Sequence, residues 1–252
     1  MTKAKKKILV FDFDNVICDS TDECMVSSWN AWQKWKSKPG FRRTVSEFSA
    51  EEAAKFRHLR PRVRGAGEYY LLHRSFSENI EIKDQGDYNR LETSWDKHFT
   101  KYKVLFFEAR NRLRKENLDA WIDLHHVFDD VIDTIRYYNH QNRFYIATLK
   151  DEESVRLILN KQGLLINGDR ILDQGKITSK LQALDYIRDQ LECQKDDLIF
   201  IDDNVTHLIE PQLSEYPVYL ATWGSTVPEY LKIADQKKIP QLNQCGSLIN
   251  LF

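Results

Sequence analysis

Ile8-Leu9-Val10-Phe11-Asp12-Phe13-Asp14-Asn15-Val16-Ile17 is the stretch on which the fold turns. Four apolar residues in a row, closed by a carboxylate, read as a strand buried on both faces that reaches solvent at its carboxyl end. Side chains alternate along a strand, so Asp12 and Asp14 point together if the extended conformation persists past Phe11. Two carboxylates that close resist joint ionisation unless a cation or a shared proton separates their roles. An Asp/Asn turn is the competing reading, because both residues favour turns.

Downstream of about residue 123 the same kind of strand recurs, alternating with helical patterns. Val127, Phe128, Val131, Ile132, Ile135 and Tyr138 have helical spacing, and Phe144-Tyr145-Ile146-Ala147-Thr148 follows as a short buried strand. A helix from about Asp151 precedes Ile171-Leu172, and another starts near Ser179. Leu198-Ile199-Phe200-Ile201 and Pro217 to Ala221 supply two more strands. Continuous apolar strands alternating with helices predict an α/β fold, a Rossmann-like parallel sheet covered on both faces. Right-handed crossovers then align the carboxyl ends of the strands along one edge, where such sheets bind ligands.

Between Asp19 and about Asp119 no comparable strand is seen. Trp29, Trp32 and Trp35 mark one helix face, and Tyr88, Leu91, Trp95, Phe99 and Tyr102, continuing to Phe106 and Leu113, predict one long amphipathic helix. The expected domains are therefore residues 1–19 with 123–252 as the α/β core, and residues 20–122 as an inserted all-helical cap.

Composition narrows the function. The 252 residues carry 37 Lys+Arg against 38 Asp+Glu, so no net field favours nucleic acid as a partner. No run approaches 18 apolar residues, and the basic start runs directly into the first strand, which predicts neither a membrane span nor a signal peptide. Cys18, Cys24, Cys193 and Cys245 form no C-x-x-C pair and read as reduced, packed thiols. A cytoplasmic protein is expected, a monomer or homodimer, with Leu248 to Phe252 docking on its own core or on a second subunit.

Three further places carry candidate chemistry. Thr148, at a strand end, offers a hydroxyl to a phosphate oxygen or an N-cap to the next helix. Lys180, near a helix start, opposes the macrodipole preference, with Lys176 as a competitor four residues upstream. Asp202-Asp203-Asn204 ends a buried strand, where adjacent carboxylates need water, donors or a cation; such oxygen-rich clusters suit Mg2+.

The order strand–Asp12-Phe13-Asp14, strand–Thr148, helical Lys180, strand–Asp202-Asp203 resembles the haloacid dehalogenase (HAD) superfamily, over about residues 6–20 and 123–225. Ala221-Thr222-Trp223-Gly224 is similar to a segment of that family too. Two departures stand out: Asn15 where the family usually has Gly, and His126-Val127-Phe128-Asp129 where Pro-Gly is common. The resemblance implies a phosphatase that hydrolyses a small phosphomonoester. Asp12 would be the nucleophile and Asp14 the general acid and base. Thr148 and Lys180 would bind the phosphate, and Mg2+ would be held by Asp12, Asp14, Asp202 and Asp203. Asp14 itself argues against dehalogenation, since a halide needs no proton donor. Other readings are a non-catalytic phosphate-binding or regulatory protein on this scaffold, and a phosphatase of nucleotides or nucleic-acid ends. In the cap, Arg57, Arg60, Arg62 and Arg64 form a dense cationic run. Arg60 or Arg64 is expected to select a substrate carrying a second anionic group, against the alternative of a solvated face paired with nearby acids.

Overall fold

The computed structural model describes residues 7–224 and 226–248. In chain order the elements begin with strands β1 (Ile8–Phe11) and β2 (Cys18–Asp19), then helices α1 (Thr21–Trp35), α2 (Ala50–Leu59), α3 (Tyr69–Glu78), α4 (Gln85–Trp95), α5 (Phe99–Glu116) and α6 (Leu118–Ile122). The chain continues through β3 (His126–Val127), α7 (Asp129–His140), β4 (Phe144–Ala147), α8 (Glu152–Lys161), β5 (Ile171–Leu172) and α9 (Lys180–Leu191). It ends with β6 (Leu198–Asp202), α10 (Val205–Leu208), β7 (Val218–Ala221), α11 (Pro228–Lys237) and β8 (Gln241–Leu242). Two compact units result: one holds the described residues up to Asp19 and from Val127 onward, the other Ser20–His126.

The first unit is a six-stranded sheet in the order β5-β4-β1-β6-β7-β8, every neighbouring pair parallel. All residues of β1, β4 and β6 are buried, as their unbroken apolar character requires of strands covered on both faces. On one face, Val10, Tyr145 and Phe200 pack with Ala183, Leu184 and Ile187 of α9. On the other, Phe11 and Phe144 meet edge to face at 5.2 Å, and α7 buries Val131, Ile135 and Tyr138. Each such fully buried side chain contributes about 1.5–3 kcal/mol, so this double-sided core fixes the strand ends firmly. After β1 the chain runs to one side, through β4 and β5; from β6 it runs to the other. The switch point therefore lies between β1 and β6, the place where open α/β sheets form a crevice.

The second unit, among the described residues, is made of helices and short 3-10 turns. Its core gathers Met25 and Ala31 of α1, Phe56 of α2, Tyr70 and Leu72 of α3, and Tyr102 and Phe106 of α5. Glu23, wholly buried in α1, receives Arg110 Nε and Nη2 at 2.8 and 2.7 Å and the Ser27 hydroxyl at 2.6 Å. A carboxylate out of water survives only with such charge-assisted partners.

Three local expectations need correction. The single helix predicted through Tyr88 to Leu113 is two, because the 3-10 turn Asp96–His98 separates α4 from α5 while leaving the aromatic spacing nearly in phase. The helix expected from Val127 starts at Asp129, Val127 being in β3. β8 extends the sheet past β7, the last strand that the sequence pattern reveals. Of the C-terminal segment, Leu248 is buried and its carbonyl accepts from the Tyr138 hydroxyl at 3.2 Å; residues 249–252 lie outside the described residues.

Candidate active site

Three adjacent strands end at the same level, two of them at a carboxylate. Phe11 is paired with Ile146 on one side and Ile201 on the other, so Asp12, Ala147 and Asp202 are neighbours across the sheet. The Asp12 N–H extends the ladder to the Ile201 carbonyl at 2.9 Å. Beyond Asp12 the extended conformation does not persist. The N–H groups of Ile17 and Cys18 return to the Phe13 carbonyl at 2.9 and 3.2 Å, and Asn15 turns the chain at φ 61°. Asn reaches that left-handed conformation more readily than most residues, which is how it stands in for glycine here.

Lys180 enters from the first turn of α9, whose N-cap Ser179 accepts from the Gln182 N–H at 3.1 Å. Its Nζ lies 2.8 Å from Asp12 Oδ1 and 3.4 Å from Asp202 Oδ2, and donates to the Ala147 carbonyl at 2.7 Å. Two carboxylates outweigh an unfavourable helix end. Asp202 has a second partner in His207, whose Nδ1 lies 3.0 Å from Oδ2, and its Oδ1 accepts from the Asn204 N–H at 2.8 Å. Asp203 accepts from Asn15 Nδ2 at 3.0 Å. Lys150, buried to the tip, reaches Asp14 Oδ1 at 3.2 Å. Thr148 is not the N-cap of α8. Asp151 fills that role, and the Thr148 oxygen accepts from the Lys150 N–H at 3.1 Å.

These contacts set the protonation of the cluster. Burial pushes the carboxyl of Asp12 up, and Asp202 adds to this, against the lowering by Lys180. Burial also works against the charge of Asp202, yet His207 and Lys180 prevail and hold it below the usual carboxylate range. For His207, burial favours the neutral ring but Asp202 outweighs it, so its pKa is raised. Lys180 likewise stays a cation despite burial, through Asp12 and Asp202.

The structure thus brings Asp12, Lys180 and Asp202 together directly, Asp203 to Asn15 of the same turn, and Asp14 to Lys150. Arg60 and Arg64 belong to the helical unit. Arg60 is buried beside the Tyr69 ring, 5.9 Å from its centroid, and Arg64 pairs with Glu68 and Glu92. Lys176, the competitor of Lys180, is tied to Glu152 and to the Gly168 and Ile171 carbonyls at 2.6–2.9 Å. Sequence reasoning passed over Lys150 and His207. Lys150 looks like any surface lysine. His207 carried a signal, one short helix beyond a strand-end pair of carboxylates.

Donor atoms of Asp12, Asp202 and His207 lie within 4.8 Å of one another, close enough to share one cation. In the adjoining turn, Asn15 Oδ1 is buried with no hydrogen-bond partner among the described residues.

Against known proteins, the family described as haloacid dehalogenase-like hydrolase matches residues 6–209. No curated protein sequence matches the chain. Among solved structures it is similar to a predicted phosphatase from Clostridium acetobutylicum, at 16% identity and TM-score 0.61 over 98% of each chain. A predicted phosphoglycolate phosphatase from Haemophilus somnus has 15% identity and TM-score 0.61, again over 98% of each chain. A haloacid dehalogenase-like family protein from Streptococcus pneumoniae has 13% identity and TM-score 0.61, over 99% of this chain and 100% of that one. At such identities the structures speak for the fold. The family match spans well over half of the sequence and includes every strand end of the cluster, and on that ground this chain belongs to the haloacid dehalogenase-like hydrolases.

Proposed function

We propose that the chain is a divalent-cation-dependent phosphatase that hydrolyses a small phosphomonoester through an aspartyl phosphate on Asp12. The observation that carries this reading is the convergence of Asp12 and Asp202 on one lysine, at 2.8 and 3.4 Å, at the switch point of the sheet. A buried carboxylate beside a fixed ammonium group is an anionic nucleophile placed where an anionic substrate is also attracted. The phosphatase names of two structural neighbours agree with the reading.

In the first step an Asp12 oxygen bonds to phosphorus as the bond to the ester oxygen breaks, and Asp14 gives its proton to the departing alkoxide. In the second, the Asp14 carboxylate takes a proton from water as that water bonds to phosphorus and the bond to Asp12 breaks. Acid–base help of this kind is worth about 10²–10⁴ in rate. Lys180 and the Thr148 hydroxyl hold the non-bridging oxygens. The Thr148 oxygen already accepts from the Lys150 N–H, so its own proton is directed elsewhere. Asp12, the backbone carbonyl of Asp14, Asp202 and Asp203 are the candidate holders of the cation, with Mg2+ the expected ion. When bound, it offsets the repulsion between these carboxylates and an incoming phosphate dianion.

Substrate selection is assigned to Arg60 or Arg64, read as holding a second anionic group. Replacing each with Ala should raise KM for an anionic phosphoester and spare a neutral aryl phosphate. Wild-type behaviour of both variants toward both substrates would remove these arginines from specificity. A cytoplasmic setting is part of the proposal: no described helix is long and apolar enough to cross a membrane, and no disulfide joins the four cysteines.

The test of the reaction is Asp12→Asn, which keeps size and loses nucleophilicity. In a screen of phosphomonoesters with Mg2+, turnover should fall to background while the circular dichroism stays native. Near wild-type turnover by the purified variant would refute the covalent mechanism.

A further inference from the structure

The His207 ring has a place at the cluster that the all-oxygen cation site of the proposed reaction does not need. α10 is only four residues long and follows β6 directly, started by Asn204, whose Oδ1 accepts from the Thr206 N–H at 3.0 Å and from the Thr206 hydroxyl at 2.6 Å. This cap turns the chain sharply, and the His207 N–H returns to the Asn204 carbonyl at 3.0 Å. The imidazole is thereby carried back over the strand end it came from. Its side chain is 15% exposed, and its Nδ1 lies 3.0 Å from Asp202, which is wholly buried. One nitrogen of this ring and one oxygen each of Asp12 and Asp202 lie within 4.8 Å of one another, and this is the group among the described residues whose geometry suits a shared ion.

We infer that His207 is a ligand of the divalent cation, giving a mixed oxygen–nitrogen site that favours Co2+ over Mg2+ more strongly than carboxylates and carbonyls alone would. The inference rests on the proposed cation site at Asp12 and Asp202 and adds the nitrogen donor. Mg2+ prefers oxygen and sheds its waters reluctantly, whereas imidazole suits the later divalent ions of the first transition row. The same Asp202 would then serve as ligand and as the carboxylate that orients the ring, the pairing that steadies histidine ligands elsewhere.

The experiment uses the full chain, untagged and stripped of metal, with Mn2+ as the probe. Pulsed electron paramagnetic resonance of the bound Mn2+ should show a coordinated imidazole ¹⁴N, replaced by ¹⁵N when only histidine is labelled. The coupling should vanish in His207→Gln. By calorimetry, the preference for Co2+ over Mg2+ should fall about tenfold in His207→Asp, which restores an all-oxygen set. Asp202→Asn reports on the site itself. If Mn2+ binds wild type and is lost in Asp202→Asn, yet no histidine nitrogen couples, His207 only hydrogen-bonds Asp202 and the inference fails while the cation site stands. If Asp202→Asn binds Mn2+ as tightly as wild type, the cation is held elsewhere and both fail. The wild-type spectrum decides even where a His207 variant does not fold.

Discussion

Gly224 offers the sharpest test of how tightly the turn after Asp12 is held. A Cβ built on it would stand 2.1 Å from the Asn15 carbonyl oxygen and 3.0 Å from two further Asn15 atoms. Comfortable contact between non-bonded heavy atoms needs about 3.5 Å, so Gly224→Ala must open this approach by more than about 1 Å. The segment carrying Gly224 has little room to retreat. Thr222 is bound through its N–H and its hydroxyl to the Leu242 carbonyl at 2.9 and 3.0 Å, and Trp223 Nε1 donates to the Val16 carbonyl at 2.9 Å. The displacement therefore falls on Asn15, and with it on the adjacent Asp14 and on the hydrogen bond from Asn15 to Asp203. Overpacking of this kind costs about 1–3 kcal/mol, or roughly 4–8 °C in Tm for a loss near 2 kcal/mol in a chain of this length. Misplacing reacting groups by about 1 Å costs on the order of 10²-fold in kcat/KM. Hydrolysis of an aryl phosphate with saturating divalent cation measures the second figure, and a thermal melt the first. Gly163→Ala is the control. Gly163 has φ 67° with nothing within 4 Å of the added carbon, so only backbone strain of about 1 kcal/mol is expected, with an unchanged rate. A Gly224→Ala protein with wild-type rate and wild-type Tm would refute the reasoning.

Two further outcomes concern the helical unit. Arg110→Ala strands the buried Glu23 carboxylate and should cost about 3–5 kcal/mol in urea unfolding, far more than removing an exposed pair such as Lys34–Glu108; equal losses would count against the buried pair. Burial pushes the His73 imidazole down to about 3, so below about pH 6.5 the unfolded chain takes up a proton that the folded one refuses. Stability is then lost as pH falls from 6.5 toward 3, about 2 kcal/mol of it between pH 6.5 and 5, and His73→Phe should remove that share of the slope when unfolding is measured at both pH values.

The parts of this protein that sequence reveals are those decided locally. β1, β4 and β6 announce themselves because a strand covered on both faces has no polar residue to spare until its end, and at those ends stand Asp12 and Asp202. Lys180 could be suspected because a cation at a helix start works against the helix. Local pattern says nothing of Lys150. Its burial depends on Asp14, 136 residues away in the chain, and only the pairing of β1 with β4 brings the two loops together. The break between α4 and α5 is hidden for a different reason: a 3-10 turn at Asp96–His98 shifts the helical phase too little to disturb an aromatic stripe.

The donors that meet these carboxylates are what let the site exist. Asp12, Asp202 and Asp203 are all nearly or wholly buried at the ends of neighbouring strands, and uncompensated carboxylates there would each cost several kcal/mol. Each acidic group instead meets a donor from a different element: Asp12 meets Lys180 of α9, Asp202 meets His207 of α10, Asp14 meets Lys150 ahead of α8, and Asp203 meets Asn15 of the turn after β1. The sheet presents the carboxylates, and the segments that follow β4, β5 and β6 return Lys150, Lys180 and His207 to them. Because the compensation comes from groups on separate elements, one donor can be displaced from its carboxylate without unfolding the rest. A site that must admit a phosphate dianion among acidic residues needs that property, and a set of carboxylates neutralised within a single turn would lack it.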